Sequence, residues 1–228
     1  MTLIQTTITR SILFTLLFSM PLAPATAAED DFAEYIIKPR NIIYGADARQ
    51  FVKRFRQAVQ NKDLPALKKM LDQQGKFSFG GHHGIAGFME LWELHTNPEQ
   101  SAVWKTLAEL LDLGGVSKNS KSMIFPYLFT DWPDQYDAFE YGAITGSRVN
   151  MRTLPSLDSQ VIRQISYEIV KPIRETGVNA SPDWQKIQAH DQKTGYVSTR
   201  YLRSPIDYRM GFNKGSEGWK MTFFVAGD

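Results

Sequence analysis

Residues 149–202 limit the possible fold more than any other part of the sequence. Their apolar runs are short, and turn-forming residues separate them at close intervals. A polar loop at 174–183 lies in the middle of the stretch. Short strands with frequent turns are typical of a small β-barrel. We therefore predict such a barrel within residues 145–204.

Aromatic side chains within this stretch are the candidate ligand-binding residues. Tyrosine and tryptophan combine an apolar body with a polar tip, and several exposed rings together form a platform for a peptide or a glycan. A single ring more often packs into the core, and Trp184 in particular is expected there. The predicted ligand-binding residues are Tyr167, Trp184, Tyr196 and Tyr201.

Motifs at both ends of the stretch resemble those of a bacterial SH3 domain. They are VNMR at 149–152, PS at 155–156, SQVI at 159–162, WQKI at 184–187, GYV at 195–197 and YL at 201–202. The sequence departs from the family pattern at two places. The family usually has tryptophan where Tyr196 stands, and the loop at 174–183 is long. The resemblance implies a partner in the cell envelope, either a cell-wall peptide, with peptidoglycan stem peptides expected first, or an envelope protein.

The segments on either side of the barrel are predicted to form an α+β domain. Before the barrel, amphipathic helices begin at Asp47 and Asp63, where a side chain can cap the first turn. After the barrel, apolar segments at 206–212 and 219–225 predict a hairpin whose apolar face needs a partner. We therefore expect helices packed on an antiparallel sheet with the barrel inserted. The alternative is two consecutive domains, in which the barrel follows the α+β domain and the terminal hairpin extends the barrel.

Other elements of the first part are predicted from their apolar spacing. They are a strand at 77–79, a helix at 85–95, a helix from Pro98, and strands at 123–129 and 136–144. The predicted boundaries are 28–144 for the first part of the α+β domain, 145–204 for the SH3-like barrel and 205–228 for the terminal hairpin. The capped helices and GWKMTFF at 218–224 resemble cone-shaped folds of the nuclear-transport-factor-like type, and exported Gram-negative proteins that carry an SH3-like domain.

The first 27 residues have the features of an export signal. Arg10 precedes an almost wholly apolar segment at 12–20, and Ala25-Thr26-Ala27 fits the small-x-small cleavage pattern. The apolar segment is shorter than the ~20 residues that span a membrane, so an uncleaved anchor is the weaker alternative. We expect a periplasmic or secreted protein that is not inserted in the membrane after cleavage.

Charge and cysteine content narrow the classes of partner and chemistry. The chain has 26 basic and 24 acidic residues, and removing the signal with its Arg10 leaves 25 against 24. A net charge so close to zero gives no electrostatic basis for binding nucleic acid. Because cysteine is absent, thiol nucleophiles and thiolate metal sites are excluded.

The remaining polar clusters do not have the spacing of recognised catalytic or metal centres. His82 and His83 lie in a glycine-rich loop and His95 follows, but adjacent ligands on such a loop match no common zinc spacing. A second cluster consists of Asp131, Asp134 and Asp137. It lacks the ligands at every second position and the distal glutamate that are typical of a calcium-binding loop. The common hydrolase and phosphate-loop signatures are absent.

We therefore expect no catalytic residue, no cofactor and no metal site. The leading hypothesis is a non-enzymatic, exported binding protein whose barrel holds peptide or cell-wall ligands. The alternative is a periplasmic enzyme or small-molecule-binding protein with its site near His82 and His83. A purely structural role in an envelope complex is the third hypothesis.

Overall fold

A computed structural model of the protein describes residues 32–175 and 181–227. The predicted export signal and the central part of the 174–183 loop lie outside the described residues. Within the described ranges, none of the helices has the length and apolar character needed to cross a membrane.

Helices and two mostly antiparallel sheets confirm the predicted α+β class. The helices are α1 (Ala46–Gln60), α2 (Leu64–Lys69), α3 (Gly84–Leu91), α4 (Val103–Leu113) and α5 (Tyr127–Asp131), with 3-10 turns at Pro98–Gln100 and Thr199–Tyr201. The strands are β1 (Leu71–Lys76), β2 (Val116–Asn119), β3 (Ser122–Phe125), β4 (Gly142–Ile144), β5 (Val149–Arg152), β6 (Val161–Ile165), β7 (Ile169–Pro172), β8 (Trp184–Gln188), β9 (Thr194–Ser198), β10 (Leu202–Arg203), β11 (Arg209–Gly215) and β12 (Gly218–Val225).

The first sheet draws its strands from both ends of the described chain. Its order is β1-β12-β11-β3-β2, so the hairpin of β11 and β12 lies inside the sheet rather than at its edge. All neighbours are antiparallel except β1 and β12, which run in parallel. The terminal hairpin is therefore a structural part of the sheet on which the helices pack.

Aromatic rings connect α1 to this hairpin. Phe51 and Phe55 lie four residues apart and are buried on one face of α1. Both meet Phe212 of β11, with ring centroids 5.3 and 4.9 Å apart. Phe125 of β3 contacts the same ring at 5.9 Å. Because each such ring contributes about 1.5–3 kcal/mol when removed from water, this cluster is a major source of stability for the first sheet.

The second sheet contains the strands between β3 and β11. Its order is β10-β4-β7-β8-β9-β5-β6. Its core consists of small and branched apolar side chains from alternate positions, namely Ile144, Val149, Met151, Ile165, Val170, Ile187, Ala189 and Val197. The alternation places the remaining side chains of these strands on the outer face of the sheet.

The first and last strands of the second sheet along the chain, β4 and β10, pair with each other. Leu202 of β10 is opposite Ile144 of β4, and Arg203 is opposite Ala143. The chain thus leaves the first sheet after β3, builds the second sheet, and returns beside its point of departure. The domain boundaries at 144 and 204 themselves stay a prediction.

An extended arm, residues 32–44, contacts both sheets. The backbone amide of Ile37 donates to the carbonyl of Tyr167 at 2.7 Å, beside the second sheet. Further along the arm, the amide of Ile42 donates to the carbonyl of Gly115 at 2.9 Å, beside the first sheet. Because backbone hydrogen bonds anchor both ends of the arm, its path across the protein is fixed.

The structure differs from three predicted strands. The predicted strand at 77–79 is wrong, since the chain is already extended over β1 and the ring of Phe77 packs against Gly75, where a side chain would clash. The predicted strand at 123–129 ends at Phe125, because Pro126 cannot donate to a sheet and instead precedes α5. Of the predicted strand at 136–144, only β4 forms.

Helix limits also differ from prediction. The predicted helix at 85–95 is shorter, since α3 ends at Leu91 and His95 lies in a turn. Residues from Pro98 form only a 3-10 turn, and the helix proper, α4, starts at Val103. The cap at Asp63 is confirmed, because its carboxylate accepts from the amide of Ala66 at 3.0 Å.

Asp47 does not cap α1 but connects it to the terminal hairpin. The helix begins at Ala46 without a side-chain cap. The carboxylate of Asp47 lies 2.7 Å from the ammonium of Lys214 and accepts a 2.9 Å hydrogen bond from the indole of Trp219. These two hydrogen bonds, from Lys214 first, hold the pKa of Asp47 well below its usual range.

This pair makes part of the stability depend on pH. A carboxylate whose pKa is lowered by folding stabilises the fold above its unfolded pKa and loses that contribution as the pH falls. We expect the free energy of unfolding to drop less between about pH 5 and about pH 2 for Asp47→Asn than for the unsubstituted protein. Urea titrations at a series of pH values measure this. Asp134→Asn, in an exposed turn, is the control, and equal slopes for all three proteins would contradict the prediction.

Candidate ligand-binding groove

The outer face of the second sheet carries a set of half-buried polar and aromatic side chains. On adjacent strands β8 and β9, Trp184 is opposite Ser198 and Lys186 is opposite Tyr196. Tyr196 is also opposite Arg152 of β5. The residues between them on β8 and β9 alternate toward the barrel core. The expectation that Trp184 is a core residue is therefore wrong, because its position in β8 points it to the outer face.

A concave cavity of about 510 Å³ opens on this face, and we call it the barrel groove. It contains Trp184 and Tyr201, two of the four predicted ligand-binding residues. It is lined by Ser147, Arg148, Val149, Asn150, Arg152, Leu157, Asp183, Trp184, Ser198, Arg200 and Tyr201. The volume lies in the range of ligand sites, ~300–1,000 Å³. The lining combines two aromatic rings with groups that can donate and accept hydrogen bonds.

Tyr196 lies on the same outer face, but its hydroxyl is already engaged. It donates to a carboxylate oxygen of Glu175 at 2.8 Å, and the ammonium of Lys186 lies 5.8 Å from the ring centroid. The hydrogen bond to Glu175 raises the pKa of Tyr196, because the carboxylate favours the protonated phenol. Tyr196 therefore borders the groove's surface without lining the cavity.

Tyr167 lies on the side of the barrel that faces the arm. Its φ is 57°, and its carbonyl accepts the hydrogen bond from Ile37 described above. Burial raises the pKa of Tyr127 to about 12, and the nearby phenol of Tyr167 adds to this shift. The structure thus brings two of the four predicted rings together in the barrel groove, and Tyr167 is not among the described residues that line it.

The loop between β5 and β6 adds leucines that are not among the four predicted ligand-binding residues. Leu157 lines the barrel groove and is 74% exposed, and Leu154 in the same loop is 61% exposed. The loop is held in place by the guanidinium of Arg152, which donates to the carbonyl of Ser159 at 2.6 Å. Two leucines beside Pro155 in an otherwise polar turn were the signal in the sequence. Their exposure on an ordered loop gives the groove an apolar rim.

A second cavity lies beside the first, between α4 and the barrel. Its volume is about 680 Å³, and we call it the junction groove. It shares Asp183 and Arg200 with the barrel groove. It is lined by Lys105, Glu109, Asp112, Leu113, Thr145, Pro182, Asp183, Thr199, Arg200, Leu202, Arg203 and Asp207. The two grooves therefore meet at one shared wall.

Arg203 is a fixed charge at the inner side of the junction groove. Its guanidinium donates to the carbonyl of Tyr208 at 2.7 Å and lies 3.5 Å from the carboxylate of Asp207. Burial lowers the pKa of Arg203, while the charges of Asp207 and Glu109 oppose that shift. Its positive charge is thus compensated within the protein.

Asp183 and Arg200 differ from Arg203 in this respect. Within the described part of the chain, neither side chain has an ion-pair partner within 4.0 Å. The guanidinium carbon of Arg200 lies 4.5 Å from the ring centroid of Tyr201. The shared wall therefore carries one acidic and one basic group that are both available to a ligand.

Residues 147–203 match the family model of the bacterial SH3 domain. The match confirms the resemblance stated for residues 149–202 and, with the α+β architecture, the predicted fold class. No curated protein and no solved structure matches the chain. The resemblance of the flanking segments to nuclear-transport-factor-like folds stays a prediction. SH3 domains of this kind commonly bind peptides or cell-wall components, so the chain contains a module suited to binding.

The histidines considered for the alternative site do not converge on a shared centre. The imidazole Nε2 of His82 lies 3.9 Å from the nearest carboxylate oxygen of Glu90, which is longer than a hydrogen bond. His83 and His95 are exposed. This geometry gives no support to a site near His82 and His83.

The aspartates considered for calcium are also separated by their contacts. Asp131 forms a 2.8 Å ion pair with Arg40 of the arm. Asp137 accepts the backbone amide of Phe139 at 2.8 Å, and Asp134 is exposed in its turn. Asp131 thus holds the arm, and Asp137 stabilises a turn.

A different acidic cluster, absent from the sequence interpretation, lies beside the arm. Glu34, Glu168 and His190 form the one group among residues 32–175 and 181–227 in which three acidic or imidazole side chains approach within 4.8 Å. Glu168 is only 1% exposed, and its two oxygens contact Arg163 at 2.6 Å and His190 Nδ1 at 2.7 Å. Because both oxygens of the buried carboxylate are already engaged by cationic or donor groups, we interpret the cluster as structural. Its signal in the sequence was the acidic residue Glu168 within the mostly apolar segment 167–173.

Arg163 is the main counter-charge of this buried carboxylate. Arg163→Met should lower the free energy of unfolding by about 2–3 kcal/mol, because the buried carboxylate of Glu168 would lose its main partner. Denaturant unfolding measures this.

The double variant Arg163→Met/Glu168→Gln is the matched control for this measurement. It removes both charges, so it should be more stable than Arg163→Met alone. Equal stability of the single and double variants would contradict a structural role for the pair.

Proposed function

We propose that this protein is an exported, non-enzymatic binding protein whose SH3-like barrel holds a peptide of the cell wall, with peptidoglycan stem peptides as the first candidate. The observation that carries the proposal is the barrel groove. It lies in the segment that matches the bacterial SH3 domain, and it combines Trp184, Tyr201 and the exposed Leu157.

The shape and lining of the barrel groove suit an extended peptide. Aromatic rings provide large contact areas at a low cost in side-chain entropy. Arg152 and Asn150 add polar groups on β5 that can pair with peptide carbonyls. The exposed leucines extend the apolar contact beyond the cavity. These features support binding through many weak contacts rather than a single tightly held group.

The chemistry of the groove favours binding over catalysis. The cavity is lined by arginine, aspartate, serine and asparagine side chains besides its apolar residues, and no imidazole is among the described residues of its lining. A general base near neutral pH is most often histidine, and the chain has no cysteine to act as a nucleophile. The lining therefore supports a non-enzymatic role.

Binding to intact cell-wall sacculi tests the proposal directly. The purified, processed protein should co-sediment with sacculi at low salt. Leu157→Ser should weaken retention about tenfold, because loss of one apolar contact of ~1.5 kcal/mol changes affinity by that factor. Phe139→Ser is the matched control, since Phe139 is 66% exposed on a different loop.

Two outcomes would count against the proposal. A folded protein that is not retained by sacculi excludes this class of ligand. Equal losses for Leu157→Ser and Phe139→Ser would show that retention does not use the barrel groove.

Export is part of the proposal and rests on residues 1–27. We expect the protein recovered from the periplasm or medium to begin at Ala28, as measured by intact-mass spectrometry. Ala27→Leu should block processing, because a bulky residue breaks the small-x-small pattern. Thr26→Leu changes only the unrestricted middle position and should be processed normally. An unprocessed wild-type chain would contradict the predicted signal.

A further inference from the structure

The barrel groove and the junction groove adjoin at the shared wall. Asp183 and Arg200 line both cavities. Beyond them the far wall belongs to α4, which packs in the core of the first sheet rather than in the barrel. A ligand that leaves the barrel groove past Trp184 therefore meets a surface built by the other part of the fold.

The backbone is held in place at both charged residues of the shared wall. The carbonyl of Asp183 accepts the amide of Thr199 at 2.9 Å, and the amide of Asp183 is 3.3 Å from the hydroxyl of Ser181. Arg200 lies in the 3-10 turn Thr199–Tyr201, with its guanidinium over the ring of Tyr201. Both side chains are exposed, so a ligand in either groove can reach them.

Opposite charges that stay unpaired at one wall are complementary to a ligand with both signs. A ligand ammonium would donate a charge-assisted hydrogen bond to the carboxylate of Asp183, and a ligand carboxylate would accept one from the guanidinium of Arg200. The other charges of the junction groove are already compensated, as described for Arg203. Pairs such as Lys105 and Glu109, 3.8 Å apart on α4, are also satisfied internally.

We propose that a single extended peptide occupies both grooves, with its apolar part in the barrel groove and a zwitterionic part at the shared wall. The ammonium of the peptide pairs with Asp183, its carboxylate pairs with Arg200, and α4 forms the outer boundary. This inference rests on the proposed function and adds to it the charge pattern of the ligand and the participation of α4. The selected class is peptides that carry a free amine and a free carboxylate near one end.

A soluble probe separates the two charges. The probe is a synthetic tetrapeptide, Ala-γ-Glu-Lys-Ala with L and D residues alternating as in a stem peptide. It is compared with an ε-acetylated form and a carboxy-terminal amide by isothermal titration to the processed protein. Each modification should weaken binding about tenfold, the effect of losing one charge-assisted hydrogen bond.

Variants at the shared wall test the assignment of each charge. Arg200→Gln should lose the preference for the free carboxylate, and Arg200→Lys should restore most of it because the charge is kept. Asp183→Asn should lose the preference for the free amine. The modified probes distinguish these effects from a general loss of affinity. Amidation should no longer weaken binding to Arg200→Gln, and acetylation should no longer weaken binding to Asp183→Asn.

A blocking substitution tests the participation of α4. Glu109→Trp places a large ring in the junction groove, and should weaken binding of the tetrapeptide and retention on sacculi at least tenfold. Glu90→Trp is the matched control, since Glu90 is an exposed helical glutamate on α3, which contributes no residue to the lining of either groove.

The results separate this inference from the proposed function. Sacculus retention that depends on Leu157 but is unchanged by Arg200→Gln and Glu109→Trp would overturn the two-groove path and leave the barrel site intact. The same conclusion follows if the acetylated and amidated probes bind as well as the free tetrapeptide. Absence of retention by the wild-type protein would instead overturn the proposed function, and this inference with it.

Discussion

The pairing of β10 with β4 is the contact on which the arrangement of the protein depends. These short strands bring residues at 142–144 and 202–203 into register, and everything between them forms the barrel strands. Because the segment starts and ends at the same place, the first sheet can be completed by β11 and β12 as if the barrel had not intervened. The same pairing places Leu202 and Arg203 next to α4, so the junction groove is a direct product of how the barrel is attached.

Local patterns in the sequence were sufficient for the parts of the fold that depend on near neighbours. The spacing of Phe51 and Phe55 predicts the buried face of α1, and Asp63 predicts the start of α2. The short runs at 149–202 predict the barrel strands. Predictions failed where a distant partner decides the conformation. The strand β1 has a weak pattern of its own and forms because β12 provides hydrogen bonds along its edge, and Asp47 is drawn from a capping role by Lys214 and Trp219.

The candidate site was predictable in part for the same reason. The composition of the barrel stretch indicates which rings are available, but the pairing register decides which of them share a face. The register of β8 places Trp184 outside the barrel core. Tyr167 contacts the arm and does not line the barrel groove. The contribution of Asp183, Arg200 and α4 could not be predicted, because a groove between two parts of a fold has no local pattern in either part. Leu154 and Leu157 were visible as candidates in the sequence, since two leucines occur there within an otherwise polar turn.

The arm at residues 32–44 has a consequence for how the chain completes its structure. The hydroxyl of Tyr136 donates to the carbonyl of Ala33 across 103 residues, and that of Tyr127 donates to Ile37 across 90. The arm is thus the first described segment of the chain, yet its partners lie far along the sequence, and bringing such distant residues together carries a loop-closure cost. Its hydrogen bonds to Gly115 and to Tyr167 come from opposite sides of the chain's departure from the first sheet. The arm can therefore complete its contacts only when both sheets are in place.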